Sequence, residues 1–219
     1  MRSKNKRQDI IFLIGADGVG KTTLADKLYE ELKNRNMNVR RGWSRYNNYF
    51  SKPLLAFTRL IKLNYIKEHN GHLAGYHEFQ RSRLIGILFV ILQAIDVNIA
   101  TYFKICRRVP KEGLLICDRG PFDTVFDVIL DTGFHNLGNT VWLKIYTMLV
   151  RNNCKVFYIH RNLEKTLASE KEELRYDKTL KQKRDIYNNY DGRLGWQRID
   201  NNGSMNDAVK QILNKLEII

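Results

Sequence analysis

The chain has 219 residues, 27% of them charged and 43% hydrophobic, which is enough for one soluble α/β domain with a full core. Thirty-seven Lys and Arg against 23 Asp and Glu leave a net charge of +14, an excess that attracts polyanions: a nucleoside triphosphate, a nucleic acid or an anionic membrane. The charge is spread along the chain with no long basic block, and a nucleic-acid partner is not the expectation.

Met1 to Arg7 is a basic stretch read as a solvated tail, because the apolar run behind it is strand-like and not of secretory type. That run, Asp9 to Ile14, reads as a buried strand. It leads into Gly15-Ala16-Asp17-Gly18-Val19-Gly20-Lys21-Thr22-Thr23, which fits the phosphate-loop pattern G-x-x-x-x-G-K-[ST]. Behind it, Leu24, Ala25, Leu28 and Leu32 have helical spacing. A glycine-rich turn before an ordinary helix would explain the glycines alone; strand, loop and helix in series favour the phosphate loop. Gly15, Gly18 and Gly20 let the backbone turn its N–H groups toward phosphate oxygens. The helix start adds partial positive charge. Lys21 is expected on the β- and γ-phosphates of ATP, and the Thr22 hydroxyl on Mg²⁺.

Asn38 to Trp43 reads as a second strand. Ser44 to Ser51 is rich in aromatic and basic residues, among them Arg45, Tyr46, Tyr49 and Phe50. Together with Trp43 and Arg41 these could stack on a base or sugar, or simply pack. From Pro53 the spacing of Leu54, Leu55, Phe57, Leu60, Ile61 and Tyr65 predicts a helix, broken at Asn70-Gly71. A long helix is expected from about Gln80 to Arg107. Its most apolar part, Leu84 to Ile95, is shorter than the roughly 20 residues that span a bilayer and is ended by Asp96, so a buried core helix is expected and no membrane partner. The five histidines show no zinc spacing.

Pro110 to Gly113 makes a turn, and Leu114 to Cys117 a buried strand ending on Asp118-Arg119-Gly120. Phe122 to Leu130 and Val141 to Val150 read as helices, and Lys155 to His160 as a strand. Leu163 to Leu174 and Thr179 to Tyr190 are helical and basic, Trp196 to Asp200 is the last strand, and Ser204 caps a closing helix to about Leu216. Of the three cysteines, Cys106, Cys117 and Cys154, the last two lie in or beside apolar strands. Buried thiols are expected, hence a reducing, cytoplasmic compartment. Strands alternating with helices predict a three-layer α/β sandwich: a parallel sheet covered on both faces, one domain over residues 1–219. Ligands in such sheets bind at the carboxyl ends of the strands, where Gly15 and Asp118 both fall. Asp118 either holds Mg²⁺ through water or caps the next helix; beside a phosphate loop the metal role is favoured.

The phosphate loop followed by Cys117-Asp118-Arg119-Gly120-Pro121-Phe122-Asp123-Thr124 resembles the thymidylate kinase family, in order and spacing, over most of the chain. The resemblance implies a P-loop fold with a five-stranded parallel sheet, and transfer of a phosphoryl group from ATP, with Mg²⁺, to dTMP. It implies that residues 15–23 hold ATP, that Thr22 and Asp118 serve the metal, that Arg119 contacts the acceptor phosphate and that Asp17 faces the acceptor. It makes the basic segment from Lys171 to Arg184 a lid, with Arg175, Lys178, Lys181 and Arg184 as candidates for the catalytic cation, and it implies a homodimer packed through helices, to which Leu84 to Ile95 could contribute. Two features depart from the family pattern. Its second-strand signature is replaced by Arg40-Arg41-Gly42-Trp43-Ser44-Arg45, and the place of its phosphate-gripping arginine falls at Asp96-Val97. A carboxylate there would repel a phosphate acceptor. Arg41, Arg45 or Arg83 is then expected to replace the arginine, or the acceptor carries a hydroxyl that Asp96 can bind. Asp17, Asp96 and Asp123 are the candidates to orient an acceptor oxygen. The alternatives are a kinase of a nucleoside or sugar-like hydroxyl, and a nucleotide-dependent protein acting on nucleic acid.

Overall fold

In the computed structural model, which describes residues 9–69, 72–139, 141–150, 153–168, 179–191 and 195–218, the chain begins with β1 (Asp9–Ile14). Its apolar run is buried because the strand is central. Five parallel strands stand in the order β2 (Val39–Trp43), β5 (Leu114–Asp118), β1, β6 (Cys154–His160) and β7 (Gln197–Asp200). Ile11 faces Ile116 on one side and Lys155 on the other. A strand paired on both edges and covered on both faces has no polar side to show, which is why it reads as continuous rather than alternating.

The connections are right for such a sheet. After β1, α1 (Lys21–Asn34) packs against the closing helix α8 (Met205–Lys215), whose N-cap Ser204 accepts a hydrogen bond from the Asp207 N–H. The other helical group comprises α3 (Arg83–Ala100), α4 (Pro121–Thr132), α5 (Val141–Tyr146) and α7 (Leu180–Tyr190), with α4 in contact with each of the others. A short α6 (Leu163–Leu167) follows β6. The N-terminal tail and positions 169–178 lie outside the described residues.

One stretch differs from the sequence expectation. The helix that opens at Pro53 is α2 (Lys52–Leu60), and it does not reach Tyr65. It closes in a Schellman arrangement: Lys62 takes the left-handed conformation (φ 59°), and the N–H groups of Leu63 and Lys62 bond back to the carbonyls of Thr58 and Arg59. Glycine usually occupies that place; here it is a lysine, so no stop signal is visible in the sequence. Beyond it, β3 (Asn64–His69) and β4 (His72–His77) form an antiparallel hairpin, with Tyr65 stacked on Tyr76 at 5.8 Å. Asn70-Gly71, read as a helix breaker, lies outside the described residues.

The long apolar helix runs as α3 and continues in a wider π turn at Thr101–Ile105 and a tight turn at Cys106–Arg108. Among the described residues, Arg83–Arg108 is long and apolar enough to cross a membrane, but 56% of its most apolar window is buried in the protein. Ile85, Phe89, Val90, Ala94 and Val97 enter the core, while Leu84, Ile87, Leu88, Ile91 and Ile95 stand exposed.

Candidate functional site

The site is built where β1, β5 and β6 end. Gly15, Gly18 and Gly20 all take positive φ. At Gly15 a side chain would stand 2.7 Å from the carbonyl oxygen of Ile159 on β6, so the loop passes where only glycine fits. Asn201, after β7, donates to the Val19 carbonyl at 2.7 Å and fixes the far side of the loop. Lys21 begins α1 and turns back into the loop, where its Nζ donates to the carbonyls of Gly15 (2.6 Å) and Ala16 (2.7 Å). Burial lowers its pKa to about 8, an effect that Arg119 reinforces and that Asp17 and Asp123 oppose.

Thr22, in the first turn of α1, donates from Oγ1 to Asp118 Oδ2 at 2.6 Å. The sheet register brings them together, since Leu13 of β1 faces Asp118 of β5. The other carboxylate oxygen, Asp118 Oδ1, is buried and has no hydrogen-bond partner among the described residues. A buried acceptor left open beside a hydroxyl and a phosphate loop fits Mg²⁺, which takes one or two protein oxygens and fills the rest of its shell with water and phosphate. Thr22 and Asp118 are therefore the residues that would hold the ion. No group of three or more His, Cys, Asp or Glu that could together hold a metal ion is found among the described residues.

Across from these lies a network of carboxylates and cations. Asp17, inside the phosphate loop, accepts from Arg119 through Oδ1 and from Arg45 and Lys183 through Oδ2, the last two at 3.4 Å. Asp127 on α4 accepts from Lys183 on α7 and, at 3.4 Å, from Arg45. Burial alone would raise both carboxyl pKa values; the surrounding cations, Lys183 foremost, hold them below the usual range, Asp17 well below. Burial likewise works against the charge on Arg45, Arg119 and Lys183, and the same carboxylates outweigh it. Arg119 sits in the left-handed region (φ 73°), and its Nη1 has no partner among the described residues.

Asp123 is fully buried and bonded within the scaffold. It accepts from the N–H of Gly15 (3.4 Å), the N–H of Gly120 (3.2 Å) and the Tyr187 hydroxyl (2.6 Å), tying the loop to α4 and α7. Asp96 is fully buried too, and its carboxylate caps a loop. It accepts from the N–H groups of Tyr49 (3.1 Å), Phe50 (2.8 Å) and Ser51 (3.0 Å), and from the Ser51 hydroxyl (2.6 Å). With four donors already in place, it neither repels nor receives an acceptor, and the support it lent to a hydroxyl acceptor falls away. Of the three arginines considered as replacements, Arg45 joins the network; Arg41 pairs with Asp26 on α1, and Arg83 stands exposed at the start of α3. Arg175 and Lys178 lie outside the described residues. Lys181 is exposed, and Arg184 donates to Thr166 at 3.5 Å.

Asp127, Lys183 and Tyr187 were not singled out from the sequence. A signal existed: Asp123, Asp127 and Asp131 are spaced four apart, which places three carboxylates along one side of α4. Asp131 accepts from the Tyr46 hydroxyl at 2.6 Å and contacts His77 Nδ1 at 2.8 Å, extending the row away from the phosphate loop.

Sheet order, phosphate loop and the Thr22–Asp118 contact define a P-loop fold of the nucleotide-kinase type. Among solved structures, the chain resembles the thymidylate kinase of Ehrlichia chaffeensis, with a TM-score of 0.53 over 95% of this chain and 98% of that one. It also resembles the thymidylate kinase of Candida albicans, with a TM-score of 0.57 over 95% of this chain and 91% of that one. Both are 15% identical to it, so the likeness is one of fold: the chain has a thymidylate-kinase-like fold. No family model and no curated protein matches the sequence.

Proposed function

We propose that this chain is a Mg²⁺- and ATP-dependent kinase that transfers the γ-phosphoryl group of ATP to a small-molecule acceptor, with dTMP the first to test. The observation that carries this reading is the Thr22–Asp118 contact, with its open carboxylate oxygen, next to the phosphate loop and to Lys21. Mg²⁺ held there supplies positive charge against the transferred group. Lys21 donates to the donor phosphates. Arg119, Arg45 and Lys183 are cations already collected at the loop, and an acceptor phosphate is bound by taking them over from Asp17. Little covalent chemistry is asked of the protein, because alignment and charge stabilisation do the catalysis.

Asp17, held ionised by its neighbours, also favours a second reading, a hydroxyl acceptor such as a nucleoside or sugar-like metabolite. A carboxylate can accept a hydrogen bond from the attacking hydroxyl. The test is ADP release from Mg-ATP with dTMP, dUMP, other nucleoside monophosphates, nucleosides and sugars, with Lys21→Ala as control. dTMP-dependent turnover lost in Lys21→Ala is the expected result, and Asp118→Asn is expected to lower kcat by about 100-fold. Turnover with hydroxyl acceptors alone selects the second reading. ATP binding with no turnover on any acceptor removes both.

A further inference from the structure

Three cations converge on Asp17. Its Oδ1 accepts from Arg119 and its Oδ2 from Arg45 and Lys183, the last two at 3.4 Å, well beyond the roughly 2.8 Å of a close charge-assisted bond. A carboxylate offers only two oxygens to these three side chains. Arg119 Nη1, buried on the same guanidinium, is left without a partner among the described residues. A phosphoryl group offers three acceptor oxygens and up to two negative charges.

Charge and attachment decide which carboxylate of the cluster yields. Asp127 lies on α4 with its side chain 5% exposed, paired with both Lys183 and Arg45. Asp17 is 20% exposed and stands in the phosphate loop, followed by Gly18 at φ 78°, where the backbone has a freedom that a helix lacks. Three cations face two carboxylates in this cluster, an excess of one positive charge. With Asp17 turned out the excess is two, which a phosphate monoester dianion cancels and a hydroxyl or a monoanion does not. We propose that Asp17 is an internal stand-in for the phosphate of the acceptor: it fills the seat made by Arg119, Arg45 and Lys183 and yields it only to a dianionic phosphoryl group. Calling that ligand the acceptor rests on the kinase reading above; the seat itself is tested with phosphate alone.

The experiment is calorimetric titration of the whole chain, with Mg²⁺ and a non-hydrolysable ATP analogue present, by inorganic phosphate, dTMP and thymidine. Asp17→Asn, which keeps the shape of the side chain and drops its charge, is expected to bind phosphate and dTMP about tenfold more tightly than the wild type, with thymidine unchanged. Lys183→Met added to it removes the gain, which separates this seat from the nucleotide side of the phosphate loop. Asp17→Asn also lowers Tm, because three cations lose an acceptor, and phosphate restores part of the loss. The wild type supplies an independent check: sulfate, a dianion, displaces dTMP, and acetate at the same concentration does not. Equal affinity of wild type and Asp17→Asn for phosphate overturns the proposal, and so does acetate that displaces dTMP as well as sulfate does. Weaker binding of dTMP and thymidine alike in Asp17→Asn overturns it too, and makes Asp17 a ligand of an acceptor hydroxyl. Tighter phosphate binding in Asp17→Asn with no turnover on any acceptor upholds the seat and removes only the kinase reading.

Discussion

Lys21 is driven by burial to a pKa of about 8, against about 10.4 for a free lysine, so near pH 8 roughly half of the molecules lack its charge. Phosphate oxygens beside it favour the protonated form. Nucleotide binding at pH 8 is therefore expected to take up a fraction of a proton, seen in calorimetry as a dependence of the binding enthalpy on the buffer. The uptake vanishes at pH 6.5, where Lys21 is already charged, and in Lys21→Met. The sign for stability is the opposite of a salt bridge: between about pH 8 and 10 the unfolded chain holds the extra proton, so this residue favours folding more as pH rises through that window. Asp127 and Lys183 act differently, as a buried ion pair. Asp127→Asn leaves Lys183 with Asp17 alone at 3.4 Å and is expected to cost about 3 kcal/mol. Asp127→Leu with Lys183→Met is expected to recover most of that loss in denaturant unfolding while acceptor-dependent turnover stays low. Lys21, Thr22, Asp118 and Arg119 were legible because each lies in a contiguous pattern with a chemical reason for its spacing. Lys183 was not, since it meets Asp127 across 56 residues and looked like one more charge on a basic helix.

Loop 47–51 shows how an element can hide its purpose. Asp96 and Gln93 on α3 hold it: Asp96 caps its backbone, and Gln93 donates to Asn48 (2.8 Å) and to the Ser51 hydroxyl (2.9 Å). The loop is continuous with Arg45, so α3 positions one wall of the site without touching it. Asp96→Ala strips three backbone N–H groups of their acceptor. Hydrogen exchange at Tyr49, Phe50 and Ser51 is expected to rise at least tenfold, with a loss of about 2 kcal/mol in stability. A change confined to acceptor KM, with exchange in the loop unaltered, would return Asp96 to the acceptor. The sequence showed an acid where the resembled family has a base; it could not show the acid turned toward backbone donors, because backbone groups have no letter. The hairpin of β3 and β4 was missed for a related reason. The apolar spacing of α2 runs on past its end, and the stop is made by a left-handed lysine and two carbonyl bonds.

The five-stranded sheet was legible at the scale of the whole molecule because its three inner strands, β5, β1 and β6, are short apolar runs between helical segments. Their order was not, since β5 and β6 are paired to β1 by the fold and by nothing local. If the site holds nucleotide as proposed, Mg-ATP at about 100 times its Kd stabilises the native chain by about 2.7 kcal/mol, an increase in Tm of several degrees that Lys21→Ala abolishes.

The position of β1 in mid-sheet also sets a timetable for synthesis. Its neighbour β6 begins at Cys154, about 140 residues after β1 ends, which at ordinary elongation rates is roughly 10 s of synthesis. For that interval the apolar β1 lacks one of the two strands that pair with it. Asn201, which locks the phosphate loop from beyond β7, follows later still. The far side of the loop is fixed only once β7 and Asn201 have been made.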